Sequence, residues 1–318
     1  MFIAFLLIII GFAALIFGAN WLVNGASVLA KQYNVSDLAI GLTIVAFGTS
    51  APELVVNAIA SVKGYSDIVL GNIVGSNNFN LFIILGISGL IAPIVVQSST
   101  AWKEIPISLV ATLLVVLLIN DFNFSTPSEL GRLEGALLLL LFGLFLYYVF
   151  KQMKDDPAQQ TEVSQQSSLR VWGMIILGLA GLVGGGQLVV MNSISIANDL
   201  GVSEKIIGLT IVAAGTSLPE LVTSVIAATK KKSDIAIGNV IGSNVFNILL
   251  VLPISSLVHP IDFNPKFNQE FFILMGGTIL LLLFMWTGKR KKLDRWEAGL
   301  LAAFYLGYTT YLVLQAGQ

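Results

Sequence analysis

Residues 41–94 recur at 208–261 without a gap, at a constant offset of 167, and about 32 of the 54 positions are identical. GLTIVAFGTSAPELV answers GLTIVAAGTSLPELV, and SDIVLGNIVGSNNFN answers SDIAIGNVIGSNVFN. The same offset extends backward more weakly, with Ser36 and Asp37 facing Ser203 and Glu204, and Asn20 facing Gln187. A chain built this way must form one substructure twice.

Composition says in which solvent. The chain has 318 residues, 56% hydrophobic and 11% charged, with a mean hydropathy of +0.87. A soluble domain carries roughly 25% charged residues, so this chain cannot clothe a water-facing surface and its solvent is largely lipid. Its length fits about ten spans of roughly 20 residues. A net charge of −1 points to neither nucleic acid nor an acidic partner. The absence of cysteine excludes thiolate metal sites and disulfides and leaves the redox compartment open. The opening MFIAFLLIIIGFAALIFGANW lacks a basic start and has too long an apolar run for a cleaved signal, so it reads as a retained first span. No lipidation motif, soluble domain or obligate protein partner is evident.

Apolar stretches predict spans near 2–24, 38–63, 67–95, 104–120 and 131–150, then 170–192, 205–230, 234–258, 269–287 and 294–315. The predicted fold is an all-α polytopic membrane protein of ten transmembrane helices, in two five-helix units at 1–150 and 170–318. The polar, Gln- and Ser-rich linker 151–169 joins them as a flexible tether. With five spans per unit, the second copy enters the bilayer from the opposite side, which makes the repeats inverted. With the N-terminus outside, inside loops hold thirteen Lys and Arg (Lys31, Lys103, Lys151, Lys154, Arg170, Lys230–Lys232, Lys289–Lys292 and Arg295), and outside loops hold Lys63, Arg132, Lys205 and Lys266. That asymmetry places a multi-pass protein in the plasma (inner) membrane with both termini outside, in the periplasm. Equivalent turns repeat the point: KGYS carries one lysine, its copy KKKS three.

Most acidic residues sit in loops or at span ends, but Glu53 and Glu220 fall near the middle of spans. An intramembrane carboxylate costs several kcal/mol unless paired, protonated or liganded, and so marks function. No Lys, Arg or His lies at that depth in the sequence; His259, beside Pro260, reads as a loop residue. GTSAPE (48–53) and GTSLPE (215–220) set Thr49, Ser50 and Thr216, Ser217 just ahead of the carboxylates. Pro52 and Pro219 with Gly48 and Gly215 break the helices there and expose carbonyls near Ala46, Thr49, Ala213 and Thr216. Ser76 with Asn80, and Ser243 with Asn247, share one helical face at i, i+4. Asn77 and Asn244 point elsewhere, toward bonds between helices. Carboxylates, hydroxyls, amides and carbonyls without sulfur or imidazole make a hard-cation set, suited to Ca²⁺. The glycines at 71, 75, 238 and 242 read as close-packing positions. Gly184–Gly186 lies inside a span with no strand before it and is no phosphate loop. GKRKK (288–292) reads as a cytoplasmic anchor.

The doubled GTSxPE…GSNxFN motif resembles the α-repeats of the calcium:cation antiporter superfamily, most closely its prokaryotic sodium/calcium exchangers. The resemblance implies two inverted five-helix halves around a four-helix core, with the first and sixth helices sliding to alternate access. It implies a binding set of Thr49, Ser50, Glu53, Ser76 and Asn80 with the Ala46 carbonyl, and Thr216, Ser217, Glu220, Ser243 and Asn247 with the Ala213 carbonyl. It implies Na⁺ and Ca²⁺ as transported ions, no cofactor, and electrogenic exchange of three Na⁺ for one Ca²⁺. Some relatives carry Asp at the position of Asn247, notably K⁺-dependent ones, so K⁺ coupling is not expected; nor is the large regulatory domain of animal exchangers. The alternatives are a Ca²⁺/H⁺ or other cation/H⁺ antiporter and a passive cation channel. An enzyme is not expected, because the spans hold no nucleophile–base pair.

Overall fold

The computed structural model describes residues 2–97, 100–120, 128–155, 167–199, 213–287 and 291–316. Among these the helices are α1 Phe2–Tyr33, α2 Asp37–Thr49, α3 Ala51–Val62, α4 Ser66–Ile91, α5 Thr100–Ile119 and α6 Arg132–Asp155. They continue as α7 Ser168–Asp199, α8 Leu218–Thr229, α9 Ser233–Val258, α10 Phe267–Phe284 and α11 Arg295–Ala316. Seven of the described helices are long and apolar enough to cross a bilayer, and α2 with α3 passes the same test when the bent pair is counted as one span. Large apolar side chains face outward, as Phe5, Phe17, Leu140 and Leu144 do, which suits a hydrocarbon surround. Most of the linker, residues 156–166, lies outside the described residues, as do 200–212, which hold Ser203, Glu204, Lys205 and the start of the seventh predicted span.

The first helix runs nine residues past its predicted end at residue 24. Asn20, Asn24 and Lys31 break the apolar run but not the helical propensity, and Asn20 folds its amide onto the Ile16 carbonyl at 2.9 Å. It stops at Asn34, whose φ of 54° suits an Asn helix end, and Ser36 then caps α2 by accepting the Ala39 N–H at 3.2 Å. The α3–α4 and α8–α9 turns are equivalent. Each carries a left-handed residue, Gly64 (φ 71°) in one and Lys231 (φ 57°) in the other.

Between α2 and α3 the axis bends by 47° at Ser50, with Pro52 in the first turn of α3. In the second copy Ser217 occupies the same place, after a helical turn at Ala213–Gly215 and before Pro219. The break is where GTSxPE predicts it. Four π-helical turns lie among the described residues, at Gly41–Val45, Asn80–Ile84, Thr100–Glu104 and Asn247–Val251.

Two apolar clusters hold the molecule together. The larger joins α2, α4–α6 and α9–α11, with Phe82, Phe246, Phe271, Leu85 and Leu252 among its buried members. The smaller joins α1 and α7 to residues of α2, α8 and α9. Within it α1 and α7 run antiparallel through a glycine seam. A Cβ on Gly18 would stand 2.7 Å from the Gly178 carbonyl, and one on Gly11 2.8 Å from that of Gly185. Only glycine permits that approach. Gly238 and Gly242 give the same closeness to α2, at 3.0 Å from the Leu38 carbonyl and 2.7 Å from the Ala46 Cβ. Gly71 meets only the Phe267 ring, and Gly75 nothing, within 4 Å among the described residues.

Short strands β1 Ile94–Val95, β2 Glu129–Leu130, β3 Ile261–Asp262 and β4 Lys292–Leu293 tie the two copies at their rims. They pair antiparallel, β1 with β4 and β2 with β3, in the registers Ile94 to Leu293 and Leu130 to Ile261.

Candidate cation-binding site

The helix breaks set the first turns of α3 and α8 deep in the bundle, and each carries one carboxylate. Glu53 and Glu220 are both 1% exposed. Their first oxygens are held crosswise: Ser50 Oγ donates to Glu220 Oε1 at 3.1 Å, and Ser217 Oγ donates to Glu53 Oε1 at 3.3 Å. Each copy thus orients the other copy's acid. Their second oxygens, Glu53 Oε2 and Glu220 Oε2, have no hydrogen-bond partner. The ion pairs among the described residues are Lys232–Asp37 and Lys292–Asp294, and neither glutamate takes part in one.

The middle of α4 and α9 supplies more bare acceptors. Ser76 Oγ, Ser243 Oγ, Asn80 Oδ1 and Asn247 Oδ1 are buried and unpartnered. A buried acceptor left bare costs about 1–3 kcal/mol, so six of them in two equivalent sets call for something positive. The asparagine geometry explains how they come to be bare. Asn80 Nδ2 donates to Asn244 Oδ1 at 3.0 Å, and Asn247 Nδ2 donates to Asn77 Oδ1 at 2.9 Å. Asn77 and Asn244 also donate their own amides to each other's backbone carbonyl, at 3.2 and 3.3 Å. This four-asparagine clasp fixes the amide nitrogens of Asn80 and Asn247 and leaves their oxygens unengaged.

The remaining predicted residues sit less directly. Thr49, fully buried, donates to Asn239 Oδ1 at 3.0 Å and lies 3.3 Å from the Ala46 carbonyl. That carbonyl is not freed by the break, because it also accepts the Ser50 N–H at 2.9 Å. Thr216 accepts from Asn72 Nδ2 at 3.3 Å and is partly exposed to a cavity. Of Ala213 only the backbone is among the described residues.

Sequence reading passes over a supporting ring of amides. Asn57 Nδ2 donates to the Glu53 carbonyl and to Asn72 Oδ1, both at 2.7 Å. Asn239 Nδ2 donates to Ser224 Oγ at 3.0 Å and lies 3.3 Å from the Glu220 carbonyl. The signal was present, since Asn72 and Asn239 are equivalent positions in LGNIVGSN and IGNVIGSN. Other acids packed among the helices differ from the central two. Glu104 accepts the Tyr148 hydroxyl at 2.5 Å, and Glu270 accepts from Tyr308 and, at 3.1 Å, from Asn78. His259 is exposed at the end of α9, with Nδ1 2.8 Å from the Pro260 carbonyl.

A cavity of about 350 Å³ lies between α7 and the first turns of α3 and α8, lined by Gln187, Val190, Pro52, Pro219 and Thr216 among others.

A helical bundle fit to cross a bilayer, with duplicated acids and bare oxygens at the meeting point of two broken helices, defines a membrane transporter of cations. Comparison with known proteins gives the particular family. The sequence profile described as sodium/calcium exchanger protein matches residues 3–151 and 170–314. The chain belongs to that family, whose members are transporters and not enzymes. The putative antiporter CaxA of Alkalimonas amylolytica is 39% identical, over 97% of this chain and 98% of that protein. The sodium/calcium exchanger MaX1 of Methanosarcina acetivorans is 33% identical, over 97% and 98%. The inner membrane protein YrbG of Escherichia coli is 33% identical, over 90% of each. Among solved structures, the sodium-calcium exchanger NCX_Mj soaked with Na⁺ and Sr²⁺ superposes with a TM-score of 0.83, at 32% identity, covering 96% of this chain and 97% of that one. This is therefore a multi-pass membrane antiporter for cations including calcium.

Proposed function

We propose that the chain exchanges Na⁺ for Ca²⁺ by alternating access, with Glu53 and Glu220 as the central ligands. The observation that carries this is the pair of buried carboxylates with bare second oxygens and no cationic side chain bound to either. Ser76, Ser243, Asn80 and Asn247 complete an all-oxygen set, while Thr49, Ser50, Thr216 and Ser217 shape and orient it. Six to eight flexible oxygens suit Ca²⁺, and the same oxygens divide among smaller monovalent sites for Na⁺.

Two negative charges are cancelled by one Ca²⁺ or by two Na⁺. The bare site is then charged and reluctant to cross the low-dielectric core, which enforces exchange over leak. With three Na⁺ entering per Ca²⁺, each cycle moves one net charge and responds to the membrane potential by about 2.3 kcal/mol per 100 mV. The ten spans form inverted five-helix halves, 1–150 and 170–318, with both termini outside. In that orientation the cavity beside Thr216 opens toward the outer face, and α1 with α7 forms the sliding element. Their glycine seam, closer than any side chain allows, supports motion as a unit.

The test is Ca²⁺ uptake into sealed vesicles driven by an outward Na⁺ gradient, with pH clamped on both sides. Wild type should accumulate Ca²⁺, and Glu53→Gln or Glu220→Gln should lose nearly all of it. Full flux in either variant rejects the site, and uptake that follows a proton gradient but ignores Na⁺ rejects the coupling ion.

A further inference from the structure

Far from the carboxylates, the C-terminal end of α1, the start of α7 and the turn after α8 enclose a cavity of about 550 Å³. Lys31, Arg170, Lys230 and Lys232 line it, with Asn24 and Ser27 between them. The carboxylate bonded to this group is Asp37, which takes Lys232 at 2.9 Å. Lys230 Nζ is drawn inward by neutral acceptors, Asn24 Oδ1 at 2.9 Å and the Asn20 carbonyl at 3.3 Å. Burial pushes its ammonium below the ordinary lysine value. Ser27 is 9% exposed and its hydroxyl has no partner.

The duplication supplies an internal control. The positions equivalent to Asn24, Ser27, Arg170 and Lys232 hold Met191, Ile194, Ile3 and Tyr65. Lys230 alone keeps its cation in the other copy, as Lys63; the remaining cations and donors belong to one copy only. Four cations repel Na⁺ and Ca²⁺, so the cavity is no part of their route.

We propose that this cavity binds a phosphate-type anion, either the headgroup of an acidic phospholipid or free phosphate, bridging α1 and α7 to the end of α8. Lysine, arginine and a free hydroxyl are charge-assisted donors suited to its oxygens. The binding is independent of which ions are transported. Its consequence, holding the α1–α7 pair in place against the core, rests on the alternating-access reading.

The experiment is native mass spectrometry of the purified full chain, counting retained phosphatidic acid against phosphatidylcholine. Wild type should retain phosphatidic acid, and Lys31→Gln/Arg170→Gln should lose about 25-fold in affinity, at about fivefold per charge. Lys63→Gln/Arg132→Gln, removing two charges elsewhere, should stay within about twofold by the same charge accounting. Ser27→Ala keeps every charge and should weaken binding by about fivefold, which guards against a misfolded double variant. A parallel melting series in inorganic phosphate separates the sources: stabilisation of wild type but not of the pocket variants identifies the free anion, and lipid retention alone identifies the headgroup. Equal losses in both double variants, or no wild-type response in either series, overturn the proposal. Unchanged retention in Glu53→Gln would show that the anion site stands even where transport fails.

Discussion

Each glutamate at the centre of the bundle is oriented by a serine from the other copy, so the two serines are interchangeable in role. Ser50→Ala and Ser217→Ala should therefore weaken Ca²⁺ alike. A hydrogen bond to a charged group is worth about 1.5–3 kcal/mol, which is roughly tenfold to a hundredfold in apparent affinity. Ca²⁺-concentration dependence of uptake reads this, and a variant that loses nothing would show that its serine does not set the carboxylate. The asparagine clasp gives a second expectation. Asn244→Ala removes the acceptor that holds Asn80 Nδ2, and support of this kind is typically worth 10–100-fold in metal affinity. The same titration, with the total amount of folded protein matched, tests it. At this scale the motif exposes the oxygen-bearing residues that the structure gathers, because acids in mid-span and doubled hydroxyls are conspicuous. Which amide nitrogen meets which oxygen depends on how α4 crosses α9, and no single segment encodes that. Asn57, Asn72 and Asn239 are inconspicuous for the same reason: an amide in a span reads as packing until its partner is known.

Among the helices, the α1–α7 seam makes the sharpest demand on sequence. Gly18→Val would drive a side chain into the Gly178 carbonyl, 2.7 Å from the new Cβ, whereas a Cβ on Gly173 of α7 meets nothing within 4 Å. Overpacking of this kind costs typically 1–3 kcal/mol, so Gly18→Val should lower the melting temperature and Gly173→Ala should not. The helix breaks were legible because proline and glycine act locally on the backbone. The π-helical turns at Asn80–Ile84 and Asn247–Val251 were not. Such a turn adds one residue to a helix whose composition is unchanged, and its benefit lies in re-aiming side chains toward neighbours far away in the chain. The full length of α1 escapes the apolar pattern for a simpler reason. Apolar runs measure how much of a helix meets lipid, and Asn24 and Lys31 belong to a stretch of α1 that turns toward other helices and a polar cavity.

The molecule as a whole contains no cysteine, so engineered thiols would report on its motion without background. A cross-link joining Gly25→Cys to Met174→Cys, whose Cβ atoms would stand 3.3 Å apart, ties α1 to α7 and should leave exchange largely intact if the two travel together. A cross-link joining Gly48→Cys to Leu179→Cys ties α7 to the core and should stop exchange, since the Leu179 side chain rests directly on the break beside Gly48. Vesicle flux before and after reduction distinguishes these outcomes, and arrest by the first cross-link would rule out a joint slide.

The crosswise serines also constrain how the two copies can age. A change at Ser50 is felt by the acid of the second copy and a change at Ser217 by that of the first, so neither copy can drift alone at these sites. Positions outside this exchange of serines differ between the copies, as Phe47 does from Ala214, Ala51 from Leu218 and Asn78 from Val245. Duplication here left no spare copy: each half is the custodian of the other's chemistry, and their likeness at the centre is mutual surveillance rather than shared ancestry alone.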